Sequence, residues 1–166
     1  MLHKLMQTLD AKAGFEAADA HCDIPCKIYD PIVAQIAALT AVRMIDQMNE
    51  LEQGATEKGM SYENTSARLI AEKENQVRIC KEEVRVIWGD YIKAPQIEKF
   101  PNVHSLVHGI MMQGGKVKQT TSRDEAMKLL AMVNEFAEIF WATKDVKTKK
   151  AVCPYPPSEE VVYPDL

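Results

Sequence analysis

Residues 30–48 read DPIVAQIAALTAVRMIDQM. Asp30 is a favoured helix N-cap, and Pro31 suits the first helical position, where its missing N–H costs nothing. Ile32, Ile36, Leu39, Val42, Ile45 and Met48 then recur at three- and four-residue spacing. That spacing predicts an amphipathic helix with one apolar stripe. Gly54 is its natural stop, and residues 54–61, GATEKGMS, form the connecting loop.

The rest of the chain repeats this pattern between prolines, which are absent from 32–94 and from 102–153. A second helix is expected from about Tyr62 to Ile92. Its residues Val77, Cys80, Val84, Ile87 and Tyr91 follow a 3-4-3-4 seam, and Pro95 ends it. A third, short helix is expected over about Asn102–Met112, with Val103, Leu106, Val107, Ile110 and Met111 as its buried face and Gly114-Gly115 closing it. A fourth opens at Ser122-Arg123-Asp124-Glu125, a capping-box spacing, and reaches about Thr143. Its inner face is Met127, Leu130, Val133, Phe136 or Ala137, and Phe140. No long stretch alternates at period two. The expected fold is all-α: an antiparallel four-helix bundle with short loops.

Composition agrees with one such domain. The chain has 166 residues, 46% of them hydrophobic and 27% charged, with a net charge of −4. An acidic balance without a clustered basic patch argues against nucleic acid as a partner. No apolar run is long enough for a membrane span. Four cysteines are too few for a disulfide scaffold. After Lys144 comes the basic run KDVKTKK and then AVCPYPPSEEVVYPDL. Residues 145–166 are expected to be a tail outside the bundle, either disordered or packed on a neighbouring subunit through Tyr155, Val161, Val162 and Tyr163. Cys153 within it is expected to be an exposed thiol. Cys80, on the apolar seam, is expected to be a core thiol. Met111, Met112, Met127 and Met132 are assigned to the core. His104 and His108 are read as ordinary polar histidines, since no glutamate motif completes their i, i+4 spacing. Lys116, Lys118 and Arg123 are read as a solvated loop before any role in steering an anion.

The first twenty residues, MLHKLMQTLDAKAGFEAADA, end in an A-x-A imitation of a secretory cleavage site. Lys4, Gln7, Asp10, Lys12 and Glu16 break every window that could serve as an apolar signal core. Two readings remain from position alone: an ordinary N-terminus, or a pro-segment removed in the cytoplasm.

The following segment, His21-Cys22-Asp23-Ile24-Pro25-Cys26-Lys27-Ile28-Tyr29-Asp30-Pro31, carries the chemistry. Two cysteines joined through a turn-forming proline can place two thiolates on one metal, and a histidine touches the first. Such a set suits zinc, copper or nickel rather than magnesium or calcium. Cleavage after Ala20 would give His21 a free amine. Amine, Cys22 amidate and the two thiolates then form a planar N₂S₂ set, with the His21 imidazole available from above. Square-planar nitrogen-bearing sites point to Ni(II) or Cu(II).

This stretch resembles the nickel-hook of the nickel superoxide dismutases, H-C-D-x-P-C-x-x-Y-D-P, at every fixed position. Trp88-Gly89-Asp90-Tyr91-Ile92-Lys93 with Pro95, Glu98-Lys99-Phe100-Pro101, and Ile139-Phe140-Trp141 also look like family segments, so the resemblance covers roughly residues 21–144. It implies a precursor whose residues 1–20 are removed by a dedicated peptidase, and a cytoplasmic homohexamer of hook-bearing four-helix bundles. It implies nickel as the cofactor, with His21, Cys22 and Cys26 as ligands. Pro25 would hold the hook's turn, Asp23 would position backbone around the open face, and Tyr29 would order water or the incoming anion there. The implied activity is conversion of superoxide to dioxygen and hydrogen peroxide by Ni(III)/Ni(II) cycling. One departure is visible: Ala37 and Gln76 align with the family's glutamate and arginine that brace the axial imidazole. Two other classes use the same cysteines without this chemistry: a thiol–disulfide redox protein built on Cys22 and Cys26, and a nickel or zinc carrier.

Overall fold

The structure, a computed structural model, describes residues 26–166. Four long helices form the bundle. Helix α1 spans Ile32–Gly54. Asp30 Oδ1 accepts the Ile32 N–H at 2.8 Å, and Pro31, at φ −73°, already accepts from Gln35 N. Asp30 is thus the working cap, as its sequence position predicts.

The buried face of α1 differs from the isoleucine stripe. Ile36 is 47% exposed and Val33 is exposed beside it. Ala34, Ala37, Ala38 and Ala41 are buried instead, together with Leu39, Val42 and Ile45. Helix α1 packs against both its chain neighbour and the last helix. Small side chains on that wide buried arc let two neighbours approach at once, and alanine is a weak signal in a hydrophobic stripe.

Helix α2 spans Met60–Val86, with Val77, Cys80 and Val84 in the core. It does not run regularly to Ile92. Residues Ile87–Tyr91 form a π-helical turn, sealed by Ile92 N donating to Ile87 O at 3.1 Å. Pro95 starts a new short helix, α3 (Ala94–Lys99), because a proline in the first turn needs no N–H partner. Helix α4, Val103–Gln119, passes straight through Gly114-Gly115, where the sequence suggested a stop. A Cβ on Gly114 would lie 3.0 Å from Lys81 Cδ and 3.2 Å from Val77 Cγ1. The glycine therefore serves the close approach of α4 to α2. The α4 C-terminus is held by Lys73 of α2, a buried ammonium donating to Lys118 O at 2.8 Å and Thr120 O at 2.7 Å. Helix α5, Arg123–Ala142, starts where expected, with Ser122 Oγ accepting from Glu125 N. Leu130, Val133, Phe136, Ala137 and Phe140 are buried along it. Met111, Met127 and Met132 line the edge of the core, but Met112 is 59% exposed, contrary to its core assignment.

The tail is the largest correction. Strands β1 (Thr148–Val152) and β2 (Glu160–Pro164) form an antiparallel hairpin, with Thr148 opposite Pro164 and Val152 opposite Glu160. It docks on its own bundle. Val161 and Val162 are buried, and so is Cys153, whose Sγ lies 3.2 Å from Tyr155 O. Gln35 Nε2 donates to Val162 O at 2.9 Å, and Asn134 Nδ2 donates to Glu160 O at 2.9 Å. Arg123 pairs with Asp46 of α1 and Glu159 of the hairpin loop. Among the described residues, no helix is long and apolar enough to cross a membrane.

Candidate metal centre

The antiparallel order gathers four termini at one end of the bundle: the start of α1, the π-turn after α2, the start of α4 and the end of α5. The segment entering α1 runs along this end. Cys26 is exposed, and Lys27 adopts a left-handed conformation at φ 59°. A non-glycine residue there bends the chain sharply between the cysteine and the helix. Ile28 faces solvent at 81% exposure, and Tyr29 turns inward against the core.

Tyr29 rests on Tyr91, their ring centroids 5.6 Å apart and the planes at 42°. Tyr91 in turn meets Phe140 at 5.1 Å, and Phe140 meets Trp141 edge-on at 5.1 Å. The Tyr91 hydroxyl is 2.6 Å from Thr143 Oγ1, whose own hydroxyl lies 2.6 Å from Phe140 O. Lys144 Nζ stands 4.6 Å from the Tyr91 ring centre and 5.1 Å from that of Phe140. Tyr91 was legible only as a seam position; its role as the ring under Tyr29 needs the π-turn. The Trp88–Lys93 segment was the signal that marked it.

The described cysteines differ in chemistry. Cys80 is fully buried, and desolvation pushes its thiol up to about 12. Cys153 is buried beneath the hairpin. Cys26 alone of the three lies where a metal ion can reach its sulfur. A soft thiolate in an accessible segment fits a nickel or zinc ion and does not fit magnesium or calcium. His21, Cys22, Asp23 and Pro25 lie outside the described residues. Among the described residues, no cluster of three or more His, Cys, Asp or Glu side chains could hold a metal ion.

The other candidates take ordinary roles. His104 and His108 are exposed, and His104 Nδ1 accepts the Trp88 indole N–H at 2.8 Å. Lys116, Lys118 and Arg123 lie at the opposite end of the bundle; Lys118 pairs with Glu74, and Arg123 is held between two carboxylates. Ala37 is buried, and Gln76 donates to Glu72 at 2.7 Å, so these two positions supply no charged brace.

The fold is that of a helical bundle with an accessible cysteine in the segment that enters its aromatic-lined end. The profile of the family described as nickel-containing superoxide dismutase matches residues 16–144, and the chain belongs to that family. The superoxide dismutase [Ni] of Streptomyces coelicolor is 31% identical over 125 residues, covering 75% of this chain and 88% of its own length. That of Streptomyces seoulensis is 30% identical over the same shares. A native nickel superoxide dismutase structure superposes with a TM-score of 0.65 at 30% identity, covering 75% of this chain and 99% of that one.

Proposed function

We propose that this chain converts superoxide to dioxygen and hydrogen peroxide with a nickel ion held by His21, Cys22 and Cys26. Activity and metal follow from family membership: it is a nickel-dependent superoxide dismutase, an oxidoreductase. The observation that carries this reading is the family match across residues 16–144, which spans both the cysteine-bearing segment and the bundle. Bound nickel supplies a one-electron Ni(III)/Ni(II) couple, brought into range of superoxide by thiolate and amidate donors.

The protein's own residues do the rest. Cys26 gives a thiolate on an accessible segment. His21 gives amine and imidazole once residues 1–20 are removed, and Cys22 gives amidate and thiolate. Asp23 positions backbone at the open face, and Pro25 holds the turn between the thiolates. Tyr29, packed on Tyr91, orders water or the incoming anion at that open face. The working form in this reading is a homohexamer in the cytoplasm, processed by a dedicated peptidase, with residues 21–144 as the catalytic unit. The thiol–disulfide and carrier readings are not favoured by family membership.

Intact mass and metal analysis of the active protein test this directly. Loss of residues 1–20 together with bound nickel is the expected result. An active preparation retaining Met1–Ala20 overturns the amine-ligand assignment and returns the thiol–disulfide reading.

A further inference from the structure

Among the described residues, three that are not glycine adopt a left-handed backbone: Lys27 at φ 59°, Asp145 at φ 56° and Ser158 at φ 58°. Two of them close ordinary turns. Asp145 follows the end of α5, its N–H donating to Ala142 O at 3.3 Å, and the Ser158 N–H donates to Tyr155 O at 2.9 Å between the two strands of the hairpin. Lys27 ends no helix and joins no strands. It stands between Cys26 and the residues that lead into α1, in a conformation that disfavours any residue with a Cβ.

The place of this turn gives it a consequence. In an extended segment successive side chains alternate, so Cys26 would share the side of Ile28, and Tyr29 would point the other way. Ile28 is 81% exposed, whereas Tyr29 packs on Tyr91. A left-handed residue between Cys26 and Ile28 breaks that alternation. The chain on the helix side of the turn is anchored, by Tyr29 on Tyr91 and by Asp30 Oδ1 accepting the Ile32 N–H at 2.8 Å. The Lys27 dihedrals therefore set the direction in which Cys26 leaves that anchor.

We propose that Lys27 is a positioning residue of the metal centre: its left-handed backbone, and not its ammonium, presents the Cys26 thiolate on the side of Tyr29 instead of the solvent side of Ile28. The inference rests on the reading that Cys26 is a nickel ligand. Lys27 acts through that thiolate and touches neither metal nor substrate.

Three substitutions separate backbone from charge. Asparagine, glycine and valine all remove the ammonium. Asparagine and glycine enter the left-handed region readily, whereas valine, branched at Cβ, is an outlier there. The processed enzyme is stripped of metal, its Ni(II) affinity is measured by competition against a chelator, and the melting temperature of the metal-free protein is recorded alongside. Lys27→Val should bind Ni(II) about tenfold more weakly than wild type. Lys27→Asn and Lys27→Gly should stay within about threefold of it. Melting temperatures should not separate the three variants, because Lys27 is exposed. At saturating Ni(II), the thiolate-to-nickel charge-transfer absorption should shift in Lys27→Val alone, a change that a merely structural role does not produce.

Equal affinity in Lys27→Val and Lys27→Asn overturns the proposal: both at the wild-type level leave Lys27 without a role, and both weakened assign the role to the ammonium. A Lys27→Val protein whose metal-free form melts below the other two, with its charge-transfer absorption unshifted, makes the residue structural and overturns it as well. In each of these outcomes wild-type nickel binding and dismutation stand. A wild-type protein that binds no Ni(II) overturns the functional reading and this inference with it.

Discussion

Gln35 of α1 donates to Asn134 Oδ1 of α5 at 3.0 Å, and both amides are buried beneath the hairpin. The same two side chains satisfy Val162 O, Val162 N and Glu160 O along the outer edge of β2. That edge would otherwise be a row of unpaired backbone groups against the bundle. Gln35→Leu leaves Val162 O without its donor, which should cost about 1–3 kcal/mol. Urea unfolding reads the loss, and faster amide exchange at 160–163 should accompany it. An unchanged unfolding midpoint would show that the hairpin docks through its valines alone.

Lys73→Met should destabilise the fold by about 1–3 kcal/mol, because Lys118 O and Thr120 O lose their donor at the buried end of α4. Burial holds the Lys73 ammonium below the ordinary lysine range. Its folded value therefore lies below its unfolded value, and the unfolded chain binds more protons between the two. Stability from this group rises with pH across that alkaline window. The gap between wild type and Lys73→Met should widen there; a constant gap would place the ammonium in contact with solvent.

The adjacent glycines of α4 separate helix propensity from packing. A Cβ on Gly115 meets nothing within 4 Å, so Gly115→Ala should gain about 0.5–1 kcal/mol. Gly114→Ala forces a methyl against Val77 and Lys81 and should melt below wild type. Thermal midpoints of the two variants decide this. Equal gains would mean that α4 and α2 can separate by a few tenths of an ångström without penalty.

Removing nickel with a chelator should open the hook thiolates to alkylation while the bundle stays folded. Cys22 and Cys26 should react, whereas Cys80 and Cys153 should remain protected until denaturant is added. Cys80 is doubly protected, by burial and by a thiol pushed up to about 12. Peptide mapping after a short iodoacetamide pulse measures this. Labelling of Cys80 at the rate of Cys26 would mean that the bundle opens with the metal site.

Tyr29→Phe keeps the ring that packs on Tyr91 and removes only the hydroxyl. Nickel content and melting temperature should stay at wild-type levels, while the affinity for azide, an anionic probe of the open face, should change. Loss of nickel with unchanged azide affinity in the remaining holoenzyme would make Tyr29 a structural residue.

The four long helices were legible from residue order because their signals are local. Asp30 and Ser122 cap their own next turns, and the proposed ligands His21, Cys22 and Cys26 fall within six residues of sequence. What the tertiary structure decided depends on surfaces meeting. Gly114 reads as a stop until α2 is seen lying against it, and α1 presents alanines inward because two helices share its buried arc. The hairpin escaped notice because Val161 and Val162 are adjacent and both buried, which erases the alternation that marks a half-buried strand. Tyr29, Tyr91 and Phe140 are separated by 62 and then 49 residues of chain. Only the antiparallel order of the helices, with a π-turn at the end of α2, brings the three rings to the end of the bundle where Cys26 lies.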